Sequence, residues 1–305
     1  MANLKFTYMD HWYVPTQRGL AEYYDSKSCF DRYCKALVGV GYQGLDIFQG
    51  RRGLVNLFGS LKKAEEFAQD RGIERFVNTF GGGRNAHIRE AQDAGIKSFE
   101  AGLKAFEGIK IDNWVVCPGD RYYDVEPVTD EKLHNIADYW NRIGKMLASH
   151  GINLACHHEF FTATSRADEL EKFYSWTDPQ YVKFCLDTAQ HTIAGLDPVA
   201  LYVKYHDRTT AFHMKDTHHV DKRGDYRIPP DPEKGAATTE RWFWEMGTPE
   251  GLVNWPQLWT AMKGCKYTGW VGIEHDKCEM KGANYQDSTC RGKWYIDNVL
   301  SKIYA

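Results

Sequence analysis

The 305-residue chain reads as a (β/α)8 barrel, and three features of its sequence predict that architecture. Eight short apolar runs, rich in β-branched and aromatic residues, are spaced along it, each of strand length. Eight segments of helical period alternate with these runs, the order that wraps a parallel sheet in helices. No Pro/Gly-rich linker divides the chain into halves. One barrel with loop insertions therefore accounts for a length that two average domains would also fit.

Taken in order, a strand is expected at 4–9 and a helix at 26–40, then a strand at 44–48 and a helix at 61–71. A strand at 75–80 precedes a helix at 86–106, and a strand at 114–117 precedes one at 130–149, whose start is marked by Thr129-Asp130-Glu131, a cap with acidic first-turn residues. Next come a strand at 153–159, a helix at 166–176, a strand at 182–188 and a helix at 198–206, opened by Asp197-Pro198, a cap with proline at the first helical position. A strand at 210–215, a helix at 255–266, a strand at 270–275 and a helix at 293–303 complete the set. One excursion, about 217–254, interrupts the alternation and includes HHVDKRGDYRIPPDPEKGAATTERWFWEMG. A segment this long without its own period is expected to be a lid or binding loop.

Composition removes several classes of function. Apolar residues make up 43% and charged residues 26%, ordinary for a globular core. A formal net charge of −3 with no dense Lys/Arg run offers no footprint for nucleic acid or an anionic membrane. The start, MANLKFTYMD, has neither the basic n-region nor the apolar stretch of a signal peptide, and no run is long enough to span a bilayer, so a cytoplasmic location is expected. Of eight cysteines, Cys117, Cys156 and Cys185 lie in apolar strand-like runs and no CxxC pair occurs; buried thiols fit this better than a disulfide or zinc framework.

The ends of the last four strands hold the chemistry. They read His157-His158-Glu159, Asp187-Thr188, His213-Met214-Lys215-Asp216 and Glu274-His275-Asp276, at the end of the barrel where active sites form. One side chain per strand gives Glu159, Asp187, His213 and Glu274, an oxygen-rich set suited to one divalent cation, Mn2+ first, with Mg2+, Co2+ or Zn2+ as alternatives. Taken singly, each residue reads as a helix cap, a salt-bridge arm or a hydrogen-bonded core histidine. Taken together, three carboxylates converging without a cation would be strongly unfavourable.

Period-two alternation puts His157 on the face of Glu159 and turns His158 outward unless the strand twists at its rim. His157 is the better-placed general base, with His158 a second candidate or a supporting hydrogen-bond partner. Lys215 shares a face with His213 and is expected to bind a substrate oxygen or to pair with a ligand carboxylate. Gln190, His191, Trp242 and Trp244 are candidate substrate contacts; aromatic rings such as these also serve as core or interface anchors. Gly81-Gly82-Gly83-Arg84 after the third strand matches a phosphate cradle no better than a tight turn.

HHEF, LDTAQHTIAGLDP, FHMKD and GIEHD together resemble the xylose isomerase-like, AP endonuclease-type-2 barrel superfamily over nearly the whole chain. That resemblance implies one divalent metal on Glu159, Asp187, His213 and Glu274. The usual Asp-Thr-X-His after strand six is here Asp187-Thr188-Ala189-Gln190, with His191 one place later, which argues against a trinuclear zinc nuclease. DYRIPPDPEKGAATTERWFWEMG and VGIEHDKCEM look most like the larger, catalytic subunit of C-glycoside deglycosidases. This closer likeness implies action on 3-oxo-glucosides and a small β-rich partner subunit: a C2 proton is removed, an enolate forms, and the aglycone leaves by β-elimination, a lyase reaction. The same enolate, reprotonated, gives a sugar epimerase or isomerase, and an inosose dehydratase would use the same ligands. A non-catalytic sugar-binding or scaffolding barrel is the alternative of another class.

Overall fold

The computed structural model describes residues 4–9, 26–48, 51–222, 224, 243–275 and 285–304. Its elements run β1 (Leu4–Met9), α1 (Lys27–Val40), β2 (Gly44–Ile47), α2 (Arg51–Phe58), α3 (Leu61–Gln69), β3 (Arg75–Phe80), α4 (Gln92–Leu103), β4 (Asn113–Val116), α5 (Tyr122–Val125) and α6 (Asp130–Ala148). They continue β5 (Asn153–Cys156), α7 (Ala167–Trp176), β6 (Val182–Asp187), α8 (Thr188–Ile193), α9 (Pro198–Tyr205), β7 (Thr209–His213), β8 (Asp216–Thr217), β9 (Phe243–Trp244), α10 (Trp255–Gly264) and β10 (Gly269–Ile273). The chain ends in α11 (Tyr285–Tyr295), a π-helical turn (Ile296–Leu300) and α12 (Ser301–Tyr304). Among the described residues no helix is long and apolar enough to cross a membrane.

Eight strands form one parallel sheet in the order β10-β1-β2-β3-β4-β5-β6-β7, the expected TIM barrel. Its seam lies between β7 and β10, where Met214 N donates to Gly272 O at 2.9 Å and Glu274 N to Met214 O at 3.2 Å. Gly272 permits this approach: a Cβ there would stand 2.3 Å from Phe212 O.

Alternate strand residues face in and out. The outward set, including Phe76, Trp114, Leu154, Phe184 and Phe212, packs with helix residues such as Leu133, Ile136 and Ile143 of α6 in the main core. Inward, Val115, Ala155, Cys185 and Ala211 form a compact layer with Phe80 packed against it. Small side chains there fill the barrel axis, and the next inward positions open onto the mouth.

Thr129 caps α6 by accepting from Lys132 N, and Asp197 caps α9 by accepting from Val199 N with Pro198 in the first turn, as the sequence signals require. Several expected strands end sooner than their apolar runs. β5 stops at Cys156 and β7 at His213, with Met214 still bridging Ile273 across the seam. The last helix starts at Tyr285 instead of 293. Of the 217–254 excursion, the two ends are described: β8 and β9 pair antiparallel, Asp216 with Trp244 and Thr217 with Phe243. Most of the intervening stretch, Trp242 included, lies outside the described residues.

Candidate metal centre at the barrel mouth

Four buried side chains, His157, Asp187, His213 and Glu274, bring ligand atoms within 4.8 Å of one another. They occupy one layer. Each stands two residues beyond an inward position of the strand below it: Ala155, Cys185, Ala211 and Gly272. Register fixes this, since Asp187 pairs directly with His213 across β6 and β7.

The expected set had Glu159 in place of His157. Glu159 is half-buried and grouped instead with His157 and Cys117, whose ligand atoms also lie within 4.8 Å of one another. β5 has ended three residues earlier, and Glu159 stands a further pair of residues up the chain from His157. It is therefore not brought together with the other three expected ligands.

Asp187 divides its two oxygens. Oδ1 accepts from Gln190 N at 2.8 Å, capping α8, while Oδ2 lies 2.6 Å from both His157 Nε2 and Lys215 Nζ. The helix cap and the cluster member are thus one residue. Burial opposes ionisation of Asp187, yet the charge of Lys215 and the contact with His157 hold its carboxyl well below the usual value. His213 is held well above the ordinary histidine value: burial opposes its charge, and the Cys185 side chain and the Glu274 and Asp187 carboxylates overcome that.

Lys215 is fully buried, its Nζ bonded to Asp187 and Glu274 and 4.8 Å from the Phe243 ring centre. Of the two roles expected for it, the ion pair with ligand carboxylates is the one the geometry displays. Charge compensation of this kind is what two buried carboxylates require.

His158 turns out of the barrel. Nδ1 meets Thr164 Oγ1 at 3.0 Å and Nε2 meets the Tyr174 hydroxyl at 2.9 Å, among the rings of Phe173 and Phe184. Burial, then His191 and His157, hold its pKa well below the ordinary value. Both nitrogens being engaged behind the strand, His158 is withdrawn as a base.

Gln190 and His191 are also withdrawn as substrate contacts, because both are buried behind Asp187. Gln190 Oε1 accepts from Phe160 N at 3.1 Å, and His191 Nδ1 lies 2.5 Å from Asp187 O. Burial pushes the His191 pKa down to about 4. These residues brace the rim. Trp244 is half-buried with its ring 4.6 Å from that of His218. Sequence reasoning overlooked Phe80, whose ring stands 5.5 Å from His157 and 5.8 Å from His213; its place at the C-terminal end of a strand was the available signal.

The donor set fits a divalent cation. The Asp187 and Glu274 carboxylates and the His213 imidazole converge, His213 Nδ1 lying 3.1 Å from Glu274 Oε2, with the His157 imidazole in the same layer. Mixed N/O ligation of this kind suits Zn2+, Co2+ or Mn2+.

A family model described as Xylose isomerase-like TIM barrel matches residues 34–289. Inosose dehydratase from Lacticaseibacillus casei is 24% identical over 180 residues, 59% of this chain and 59% of that protein; the match thus spans less than two thirds of the relative's length. In fold, the chain is similar to the probable 3-DHS dehydratase AsbF from Bacillus anthracis, with a TM-score of 0.73 at 13% identity over 97% of this chain and 99% of that one. It is also similar to the IOLI protein with a binding zinc atom, with a TM-score of 0.68 at 14% identity over 99% of both chains.

Proposed function

Because the chain belongs to the xylose isomerase-like TIM-barrel family, we propose that it is a metal-dependent lyase that removes a proton beside the carbonyl of an oxidised sugar and expels the group on the next carbon. The observation that carries this reading is the buried layer of His157, Asp187, His213 and Glu274.

Asp187, His213 and Glu274 would hold the ion, with Mn2+ the first candidate. When bound, the ion would polarise a substrate carbonyl and acidify the neighbouring C–H. His157 is the base. Its Nε2 is tied to Asp187 at 2.6 Å, so a neutral ring carries its proton there and leaves Nδ1, which has no partner, with a lone pair to accept a proton. Lys215, one bond from both carboxylates, lends positive charge where the enolate oxygen would develop. With a ketone at C3, removal of the C2 proton sends the electron pair to the carbonyl oxygen; its return forms the C1=C2 double bond, and the C1 substituent departs with the bonding pair and takes up a proton.

The substrate class we favour is the 3-oxo-glucoside, cleaved in the manner of C-glycoside deglycosidases with a small β-rich partner subunit. Support comes from the excursion, whose returning strand packs Phe243 over Lys215 and leaves Trp244 half-buried beside His218, an aromatic surface of the kind an aglycone needs. A second reading, dehydration of a keto-cyclitol or epimerisation of a ketose, is favoured by the name of the relative above. Turnover of one 3-oxo-glucoside, one inosose and one free ketose, each with and without chelator, tests both. Chelator-sensitive release of aglycone supports the first reading; activity confined to the inosose or ketose replaces it.

A further inference from the structure

A second concave surface lies outside the barrel, between α2, the turn after β3 and α4. It encloses a volume of about 800 Å³. Arg51, Arg52 and Arg84 line it, and no carboxylate does. Arg52 and Arg84 form no ion pair among the described residues, and the Arg51 guanidinium stands 5.6 Å from the Trp114 ring centre and 5.9 Å from that of Phe106.

The floor adds an independent sign. Tyr139 borders the groove and is fully buried, yet its hydroxyl makes no hydrogen bond. It presses on Gly95, where a Cβ would stand 2.2 Å from the hydroxyl oxygen. An unpaired buried hydroxyl costs folding free energy that a bound acceptor would return.

The glycine run is explained by shape. Gly81, Gly82 and Gly83 have φ of 115, 95 and 76°, and a Cβ on Gly82 or Gly83 would meet the Phe99 or Trp140 ring at 2.8 or 2.2 Å. What shape leaves over is a set of donors: the N–H groups of Gly82, Gly83 and Arg84 donate to nothing among the described residues. Guanidiniums, a hydroxyl and backbone amides gathered around one cavity without a carboxylate select an anion.

We propose that this groove binds a small phosphate ester, its phosphate against Arg51, Arg52 and Arg84 and its apolar body against Val55, Ala94 and Ala105. The site is distinct from the barrel-mouth cluster and abuts it through Phe80, which touches His157 and His213 one residue before the glycine turn.

Calorimetric titration of the full chain with phenyl phosphate and with inorganic phosphate, in chelator so that no metal contributes, is the test. We expect one saturable site, tighter for phenyl phosphate, weakened at least tenfold in Arg84→Ala and several-fold in Tyr139→Phe, with the melting temperature unchanged in Arg84→Ala and not lowered in Tyr139→Phe. Arg84 is exposed, so its removal leaves the fold intact. Absence of saturable binding, or equal affinity in wild type and Arg84→Ala, overturns the proposal. Equal affinity for the two ligands overturns the apolar half of it.

Discussion

His157 Nε2 stands 2.6 Å from Asp187 Oδ2, in a layer where neither side chain reaches solvent. That contact sets which imidazole nitrogen carries the proton, and it assigns the base to a single atom, Nδ1. His157→Asn removes that atom while sparing the carboxylates. Its rate should fall by about 10²- to 10⁴-fold, the range for loss of a general base, with bound metal retained. Glu274→Gln, a change in the buried carboxylate layer, should instead lose metal. Elemental analysis beside turnover checks the pair; metal lost from His157→Asn and kept by Glu274→Gln would exchange the two roles.

Lys215 joins Asp187 and Glu274 in full burial. Removing one partner of a buried ion pair leaves uncompensated charge, a loss of about 3–5 kcal/mol. Lys215→Met should therefore unfold at markedly lower urea concentration in chelator. Adding Mn2+ should recover more stability in the variant than in wild type, since an ion bound only by the folded state stabilises it. Equal metal responses would show that the ammonium and the cation do not act on the same carboxylates.

The seam depends on Gly272, where a Cβ would stand 2.3 Å from Phe212 O. Gly272→Ala must push β10 from β7, and overpacking of this kind costs about 1–3 kcal/mol. Since Glu274 is two residues on, the variant should also bind metal more weakly. Urea unfolding and metal titration read the two effects, and a variant of wild-type stability would mean that the seam can open without loss.

All eight barrel strands were legible from apolar runs alone, because a parallel sheet buried on both faces needs them. The three carboxyl and imidazole groups Asp187, His213 and Glu274 were legible because each sits two residues above a small inward residue, where period two still holds. Parity still turned His158 outward, as observed, but Glu159 was misjudged because β5 gives out at Cys156 and the parity rule loses its strand. α2 escaped notice because Arg51–Phe58 is short, holds Gly53 and shows no acidic first turn. α8 escaped because Thr188–Ile193 starts from a carboxylate that also serves the cluster. The β8–β9 pairing joins residues far apart in sequence and has no local signal.

Asp46 lies wholly buried in the barrel, its Oδ1 accepting from Thr7 Oγ1 at 2.9 Å and from Asn78 N at 3.1 Å, while Oδ2 has no partner. Burial pushes its pKa up to about 6, against those two hydrogen bonds and the charge of His213. A carboxyl whose folded pKa exceeds its unfolded value near 3.9 contributes stability that is complete below that lower value and is lost as pH rises through about 6. Asp46→Asn keeps an acceptor for Thr7 and Asn78 and puts an uncharged amide in place of the bare oxygen. In chelator, its stability relative to wild type should therefore climb between pH 4 and 7, by up to about 3 kcal/mol, with the variant the more stable protein at neutral pH. Urea unfolding across that range reads the difference directly, and a constant offset between the two proteins would mean that Asp46 is already ionised in the fold at pH 4.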